Sequence, residues 1–386
     1  MTTSTHNIPF GRPIIGEAEH KAVQETLSSP QLVHGPRARQ FESDFASYTG
    51  CENPGVSLGS CTAGLHLAYV HFGIGPGDEV IVPSLSHVAT AHSVEYTGAT
   101  PIFVDVLPET GNIDPEQVEA AITERTKAIA VVHYLGLPAD MDPIMALARK
   151  HNLYVIEDSA LSVGGYYKGT HTGLIGDIGS FSFYPVKHMT TAEGGMIISK
   201  HAEVCEKINK LKAFGYDKQL GERATPGVYD VNMLGYNYRM NEIEAAIGVE
   251  QLKRIPGFVA DRARNADALR TAFQNIDEIR LLADGDEDHT HANYCLVAVL
   301  KDKLSTKRPQ LMNALKERGI GTSVYYPGPI PHLTYYKEKY ALGGKTYPHA
   351  NQISNHSIAL PVGPHLSVDE MAIIGQEMKS AISRII

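Results

Sequence analysis

One lysine in this chain stands in chemically suggestive company. The run Gly179-Ser180-Phe181-Ser182-Phe183-Tyr184-Pro185-Val186-Lys187 sets small hydroxyls and aromatics around a single amine, and Glu193-Gly194-Gly195 and an apolar run follow. A lysine so placed is partly desolvated, which lowers its pKa and yields a neutral amine able to form a Schiff base with an aldehyde. Asp158 comes just after an apolar strand ending at Ile156. A carboxylate buried there needs a strong cationic partner, and a protonated pyridine nitrogen would serve. The third piece is Val56-Ser57-Leu58-Gly59-Ser60-Cys61-Thr62-Ala63-Gly64-Leu65, a short strand opening into a helix through small residues. Free backbone N–H groups and the helix dipole make such a start a phosphate seat. Each piece alone also fits an ordinary reading: an exposed lysine, a capping aspartate, a tight turn. Their order along one chain points to pyridoxal phosphate, which needs a phosphate anchor, a carboxylate at its ring nitrogen and a lysine for its aldehyde.

These residues must be carried on a regular frame, and the sequence supplies one. Glu79–Pro83 reads as a buried strand, 87–96 as a helix and 100–106 as the next strand. Pro115–Ile122 is a helix introduced by Asp114, followed by a strand over 127–133. Asp142 is expected to cap a helix over 143–150 that leads into a strand over 153–156. Near-continuous apolar strands alternating with amphipathic helices mean a mostly parallel central sheet sandwiched by helices, and such α/β sheets bind ligands beyond the carboxyl ends of their strands. From Asn241 to Phe273 the pattern is one long helix interrupted by Pro256. An apolar strand over 293–300 and a helix over 308–318 then suggest a smaller C-terminal α+β domain. The expected division is a large cofactor-binding domain over 1–245, with an N-terminal arm, and a small domain over 246–386.

Composition narrows the partners. The chain has 386 residues, a formal net charge of -9 and no basic block, which argues against nucleic acid or an anionic membrane. Four widely spaced cysteines (Cys51, Cys61, Cys205, Cys295) lack metal-ligand spacing and suit reduced thiols in a cytoplasm. The polar, proline-bearing start is not expected to be a signal peptide, and no apolar run approaches a membrane span.

With these motifs in view, the sequence resembles the DegT/StrS family of sugar aminotransferases, fold type I pyridoxal phosphate enzymes. The resemblance rests on Val33-His34-Gly35-Pro36, Ser60-Cys61-Thr62-Ala63, Gly77-Asp78-Glu79-Val80-Ile81-Val82-Pro83-Ser84, Glu157-Asp158, Gly176-Asp177-Ile178-Gly179-Ser180-Phe181-Ser182-Phe183, Lys187, Glu193-Gly194-Gly195 and Gly235-Tyr236-Asn237-Tyr238-Arg239-Met240. It implies that Lys187 is the Schiff-base lysine and proton carrier and that Asp158 partners the pyridine nitrogen. It further implies that Cys61, Thr62, Ala63 and Ser182 seat the phosphate. Asn237 matches a residue that reaches the phosphate of the neighbouring subunit, so a homodimer is implied.

Departures from the family pattern are as informative. His87 stands where an aromatic usually stacks on the ring; an imidazole can stack, or it can simply bond backbone at a helix start. Leu161 stands where Gln or Glu is common, so that contact is absent or supplied elsewhere, for instance by Ser162. His188 stands where Asn is common and is expected to bind substrate. A dehydrating branch of the family carries His in place of the lysine, so Lys187 favours transamination. Tyr325-Tyr326-Pro327, with His332, Tyr335 and Tyr336, resembles the family's loop near the sugar nucleotide, though packing between domains explains it equally. The acidic run 284–291 fits no EF-hand and reads as a charged loop, so no metal is expected.

The resulting expectation is an aminotransferase that moves an amino group from an amino acid, L-glutamate by resemblance, through pyridoxamine phosphate to a nucleotide-linked keto-deoxysugar. The sugar would be aminated at carbon four, as in perosamine-type synthases, for a surface polysaccharide or glycoside. The rivals are a sugar dehydratase and a catalytically silent homologue that binds a sugar nucleotide.

Overall fold

The computed structural model describes residues 6–218, 224–225, 227–340 and 345–386. Two helices open the chain, α1 (Glu17–Leu27) and α2 (Pro36–Thr49). The first long alternation then runs β1 (Val56–Leu58), α3 (Cys61–His71), β2 (Glu79–Pro83), α4 (Val88–Glu95), β3 (Thr100–Val104), α5 (Pro115–Ala121), β4 (Thr126–Val132), α6 (Met141–His151) and β5 (Tyr154–Asp158). A short ribbon, β6 (Tyr166–Tyr167) and β7 (Thr170–His171), precedes β8 (Ile178–Ser182), β9 (Gly195–Ile198) and α7 (Ala202–Leu211).

Seven of these strands form one sheet in the order β1-β9-β8-β5-β4-β2-β3. The pairs from β8 through β3 are parallel, and β9 alone runs antiparallel, between β8 and β1. The side-chain period of two sorts each strand onto two faces. Val80, Val82, Ile156 and Ile197 enter one core with Leu65, Ala91 and Ile208 of the helices; Ile81, Ile129, Val131 and Val155 enter another with Ile144 and Leu147. Met196 and Ile198 turn to a third core holding Phe41, Phe45, Phe181 and Phe183. This is the expected α/β arrangement, a mostly parallel sheet with helices on both faces.

Local rules explain most of the boundaries. Asp114 accepts the Glu116 N–H at 2.9 Å and caps α5 as its position predicts. Asp142 does not cap its helix: α6 begins earlier, at Met141 behind Asp140, and Asp142 lies in its first turn paired with Lys168 at 2.6 Å. Strand β5 runs on through Glu157 to Asp158, because Glu157 and Asp158 pair with Gly179 and Ser180 of β8.

After β9 the chain reaches α8 (Glu242–Phe273), whose Asn241 cap accepts from Ile243 and Glu244 while Glu244 reaches back to Asn241. The helix continues through Pro256. Its first half packs on α1 and α2. Its second half lies against a separate antiparallel sheet of β10 (Ile279–Leu281), β12 (Leu296–Leu300) and β13 (Ser357–Leu360). Strand β11 (His289–Thr290) instead joins the ribbon at β6. Helices α9 (Arg308–Glu317), α10 (Thr334–Tyr340), α11 (Pro348–His356) and α12 (Val368–Ile385) complete the chain. Leu311, Leu315, Met371, Ile374 and Met378 of α9 and α12 share a core with Ala266, Leu269 and Phe273 of α8. Among the described residues no helix is long and apolar enough to cross a membrane.

Candidate active site

The parallel strands end together, so their following loops meet at one edge of the sheet. Because β9 is antiparallel, its first residue, Gly195, lies at that same edge, opposite Leu58 of β1 and Ser182 of β8. The edge therefore gathers the start of α3, the start of α4, Asp158 and the Lys187 loop.

Helix α3 is seated there by two glycines. A Cβ on Gly64 would strike the Ser180 hydroxyl, and one on Gly195 would lie 2.5 Å from the Cys61 nitrogen and closer still to Ser60. Ser180 Oγ also donates to the Cys61 carbonyl at 3.0 Å. Ser60 caps the helix by accepting the Ala63 N–H at 3.1 Å, leaving the first-turn amides of Cys61 and Thr62 to face outward. The Cys61 side chain points inward: its thiol lies 3.5 Å from the Ser180 carbonyl and 3.9 Å from Asp158 Oδ1. Burial pushes this thiol up, and the Asp158 charge adds to the effect.

Asp158 is buried at the end of β5. Its Oδ2 accepts from Thr90 Oγ1 of α4 at 2.7 Å, its Oδ1 from the Ala160 N–H at 3.2 Å, and Thr90 is paired in turn with Ser86 at 2.7 Å. Lys187 faces the same space. Burial lowers its amine from the ordinary 10.5, against the opposing pull of Cys61 and Asp158. Ser182, half-buried, closes this side at the end of β8.

His87 is the N-cap residue of α4, and its Nδ1 accepts the Ala89 N–H at 3.2 Å. The ring proton is therefore on Nε2 in the neutral form. Burial lowers its pKa, and the Lys187 charge lowers it further. The backbone-bonding role foreseen as an alternative is thus present, and the ring still meets Tyr326 edge-on at 5.8 Å. Burial also raises the Tyr326 hydroxyl, followed by the Asp158 charge. Lys187, Asp158, Cys61, His87 and Tyr326 share one electrostatic environment.

The remaining candidates have partners of their own. His188 is 2% exposed, with Nε2 on the Ala292 carbonyl at 2.8 Å, and burial drives its pKa far down. Leu161 is part of the core. Ser162 is fully enclosed, and its oxygen accepts from Thr172 at 2.9 Å. Tyr325 pairs with Tyr294, hydroxyl to hydroxyl at 2.9 Å, and its carbonyl receives the Tyr134 hydroxyl. His332 is exposed beside Tyr347, while Tyr336 is buried with its hydroxyl on His92 at 2.6 Å. Asn237 is exposed. In the acidic loop, Asp284 pairs with Arg270, Asp286 with His289 and Asp288 with Lys168.

Sequence reasoning missed Ser60 as the α3 cap, Thr90 on Asp158, and the pair Tyr294 and Arg262. The Lys187 amine lies 5.6 Å from the Tyr294 ring centroid, and no local spacing could join residues so far apart in the chain.

Comparison with known proteins decides the lineage: residues 13–379 match the model of the DegT/DnrJ/EryC1/StrS aminotransferase family. The chain belongs to that family. It is 38% identical over 371 residues to the spore coat polysaccharide biosynthesis protein SpsC of Bacillus subtilis, covering 95% of each chain. Its fold is similar to that of the putative sugar aminotransferase Spr1654 of Streptococcus pneumoniae in its pyridoxamine phosphate form, with TM-score 0.92 and 31% identity over 98% of this chain and 100% of that one. It is also similar to PseC of Helicobacter pylori, an aminotransferase of pseudoaminic acid biosynthesis, with TM-score 0.91 and 27% identity over 98% and 100%. Spr1654 has been solved with pyridoxal phosphate as well. This family member is a pyridoxal phosphate-dependent sugar aminotransferase.

Proposed function

We propose that the chain transfers the amino group of L-glutamate to carbon four of a nucleotide-linked keto-deoxysugar, in the making of a surface polysaccharide or glycoside. The observation that carries this reading is the convergence of a Lys187 amine lowered by burial, the Asp158 carboxylate and the start of α3 at one sheet edge. These residues fit the cofactor. Asp158 would hold the ring nitrogen protonated, oriented by Thr90 and Ala160. The amides of Cys61 and Thr62 and the Ser182 hydroxyl would hold the phosphate, with Ala63 placed by its bond to Ser60. His87 would lie against the ring. When bound, the cofactor supplies an electron sink and carries the amino group between the two half-reactions.

The remaining work falls to the protein. Lys187 Nζ would carry the proton between the substrate carbon and the cofactor carbon on the far side of the shared nitrogen, a task that needs an amine lowered toward working pH. Tyr326 would line the sugar side beside His87, with Tyr325 behind it.

The nucleotide sugar and the amino acid donor are part of this proposal, as is a homodimer. Support for the dimer comes from the apolar exposure before Asn237: Val228, Tyr229 and Val231 are half exposed or more, and Leu234 is 84% exposed. The division into a cofactor-binding part over 1–245 and a smaller part over 246–386 belongs to the same reading, with α8 spanning the junction.

The test is isotopic. With L-[15N]glutamate and a panel of nucleotide 4-keto-6-deoxy and 3-keto sugars, the 4-keto compounds should yield product carrying 15N on carbon four by NMR. Label on carbon three would overturn the positional reading, and a dehydrated product without nitrogen would favour the dehydratase.

A further inference from the structure

Three successive carbonyls near Lys187 are held by buried side chains. His188 Nε2 donates to Ala292, and Arg262 Nη1 donates to Asn293 at 3.4 Å and Tyr294 at 2.9 Å. From the other side, the Ala292 and Tyr294 N–H groups bond the carbonyls of Gly136 and Leu135 at 2.9 and 3.1 Å. Gly136 has φ 99, and a Cβ there would sit 3.2 Å from the Asn293 nitrogen, so glycine is what allows the two segments to lie this close. Asn293 itself adopts φ 51.

This clamp fixes one side chain. Tyr294 is 5% exposed, and its ring is met by Lys187 Nζ at 5.6 Å and Arg262 Cζ at 5.9 Å, with the His188 ring 5.9 Å away. Its hydroxyl pairs with Tyr325. Arg262 is 6% exposed, and among the described residues it has no carboxylate partner; burying a cation that way is costly. The two carbonyls and the ring face are the contacts that offset the cost.

We propose that Tyr294 is a wall of the active site lying against the Lys187 amine, and that His188 and Arg262 are positioning residues that hold it there. The proposal rests on the aminotransferase reading and deepens it. Tyr294 limits the directions from which the amine can deliver a proton, and its ring face favours the protonated amine between transfers. His188, next to Lys187 in sequence, then acts through Tyr294 and not on substrate.

The experiment uses cofactor-free protein. Acetic anhydride labels amines in their neutral form, and mass spectrometry of the Lys187 peptide across a pH series gives the midpoint for that amine. The other groups facing it, Cys61 of α3, Asp158 of β5, His87 at α4 and His188 beside it, stay the same in Tyr294→Leu, which removes the ring face but keeps the site dry. Below the midpoint, Tyr294→Leu should label about 5- to 30-fold faster than wild type. Tyr294→Phe should keep the wild-type profile.

Arg262→Met should also speed labelling, because the clamp is lost; simple removal of a nearby positive charge would slow it. The double variant should match Tyr294→Leu alone, as expected if Arg262 acts through the ring. If Arg262→Met does not fold, Arg262→Lys should show a smaller shift in the same direction. A Tyr294→Leu profile that superimposes on wild type, slower labelling after either Arg262 change, or additive effects would overturn the proposal. The sugar-transfer reading stands or falls separately, since labelling involves neither cofactor nor substrate.

Discussion

Gly195→Ala probes whether β9 seats the first turn of α3. Strand β9 is held on both sides, by β1 and β8, so it cannot yield to a new methyl group. The added Cβ would stand 2.5 Å from the Cys61 nitrogen, whereas ordinary contact begins at 3.4 Å. The start of α3 must therefore move outward by about 1 Å, a displacement of the size that costs on the order of 100-fold when groups must be placed for binding or reaction. Overpacking of this kind also costs about 1–3 kcal/mol of stability. Pyridoxal phosphate titrated into the variant, followed by its visible absorbance, should show affinity reduced about 10- to 100-fold. Gly257→Ala is the matched control: that glycine is exposed in the interior of α8 with nothing within 4 Å, so the change should stabilise by about 0.5–1 kcal/mol and leave affinity unchanged. Wild-type affinity in Gly195→Ala would refute the idea that this edge seats the phosphate.

Burial lowers the Lys187 amine in the folded, cofactor-free chain. The unfolded chain then binds more protons between the folded midpoint and 10.5, so this group's penalty is greatest below the folded midpoint and fades as pH rises to 10.5. Lys187→Met should accordingly raise the melting temperature of the cofactor-free protein at neutral pH, with the gain shrinking toward pH 10.5; a gain independent of pH would contradict the burial argument. Asn241→Ala removes the cap of α8 and should cost about 1 kcal/mol in urea unfolding without altering cofactor affinity. Glu157 is fully buried and accepts from His133 and from the amides of Gly173, Ile175 and Gly176. Glu157→Leu should cost about 3–5 kcal/mol, measured the same way, because four donors lose their acceptor at once.

Much of the frame was legible because it is local. The strand Glu79–Pro83 is built on the apolar run Val80-Ile81-Val82, and Asp114 announces its helix by capping chemistry. Where competing signals lie two residues apart, as with Asp140 and Asp142, position alone misplaces the helix start. The antiparallel insertion of β9 was not readable, since pairing between Gly179–Ser182 and Gly195–Ile198 depends on the turn between them, not on periodicity. At the site, Lys187 and Asp158 announce themselves by residue type and setting. The inward course of His188, and the approach of both Lys187 and Arg262 to the Tyr294 ring, are products of tertiary packing. His188, expected by resemblance to bind substrate, has its ring buried on the Ala292 carbonyl.

Lys187 is assigned two tasks: it binds the cofactor aldehyde and, once released, carries the proton while the cofactor takes up the donor's amino group. The most direct measurement is the visible absorbance of protein reconstituted with pyridoxal phosphate, before and after excess L-glutamate, with Lys187→Ala alongside. Wild type should show a yellow band shifted from that of free pyridoxal phosphate, which bleaches to the pyridoxamine form with glutamate; the shifted band should be missing from the variant. A band in Lys187→Ala equal to that of wild type, or no band in wild type at all, would contradict this assignment.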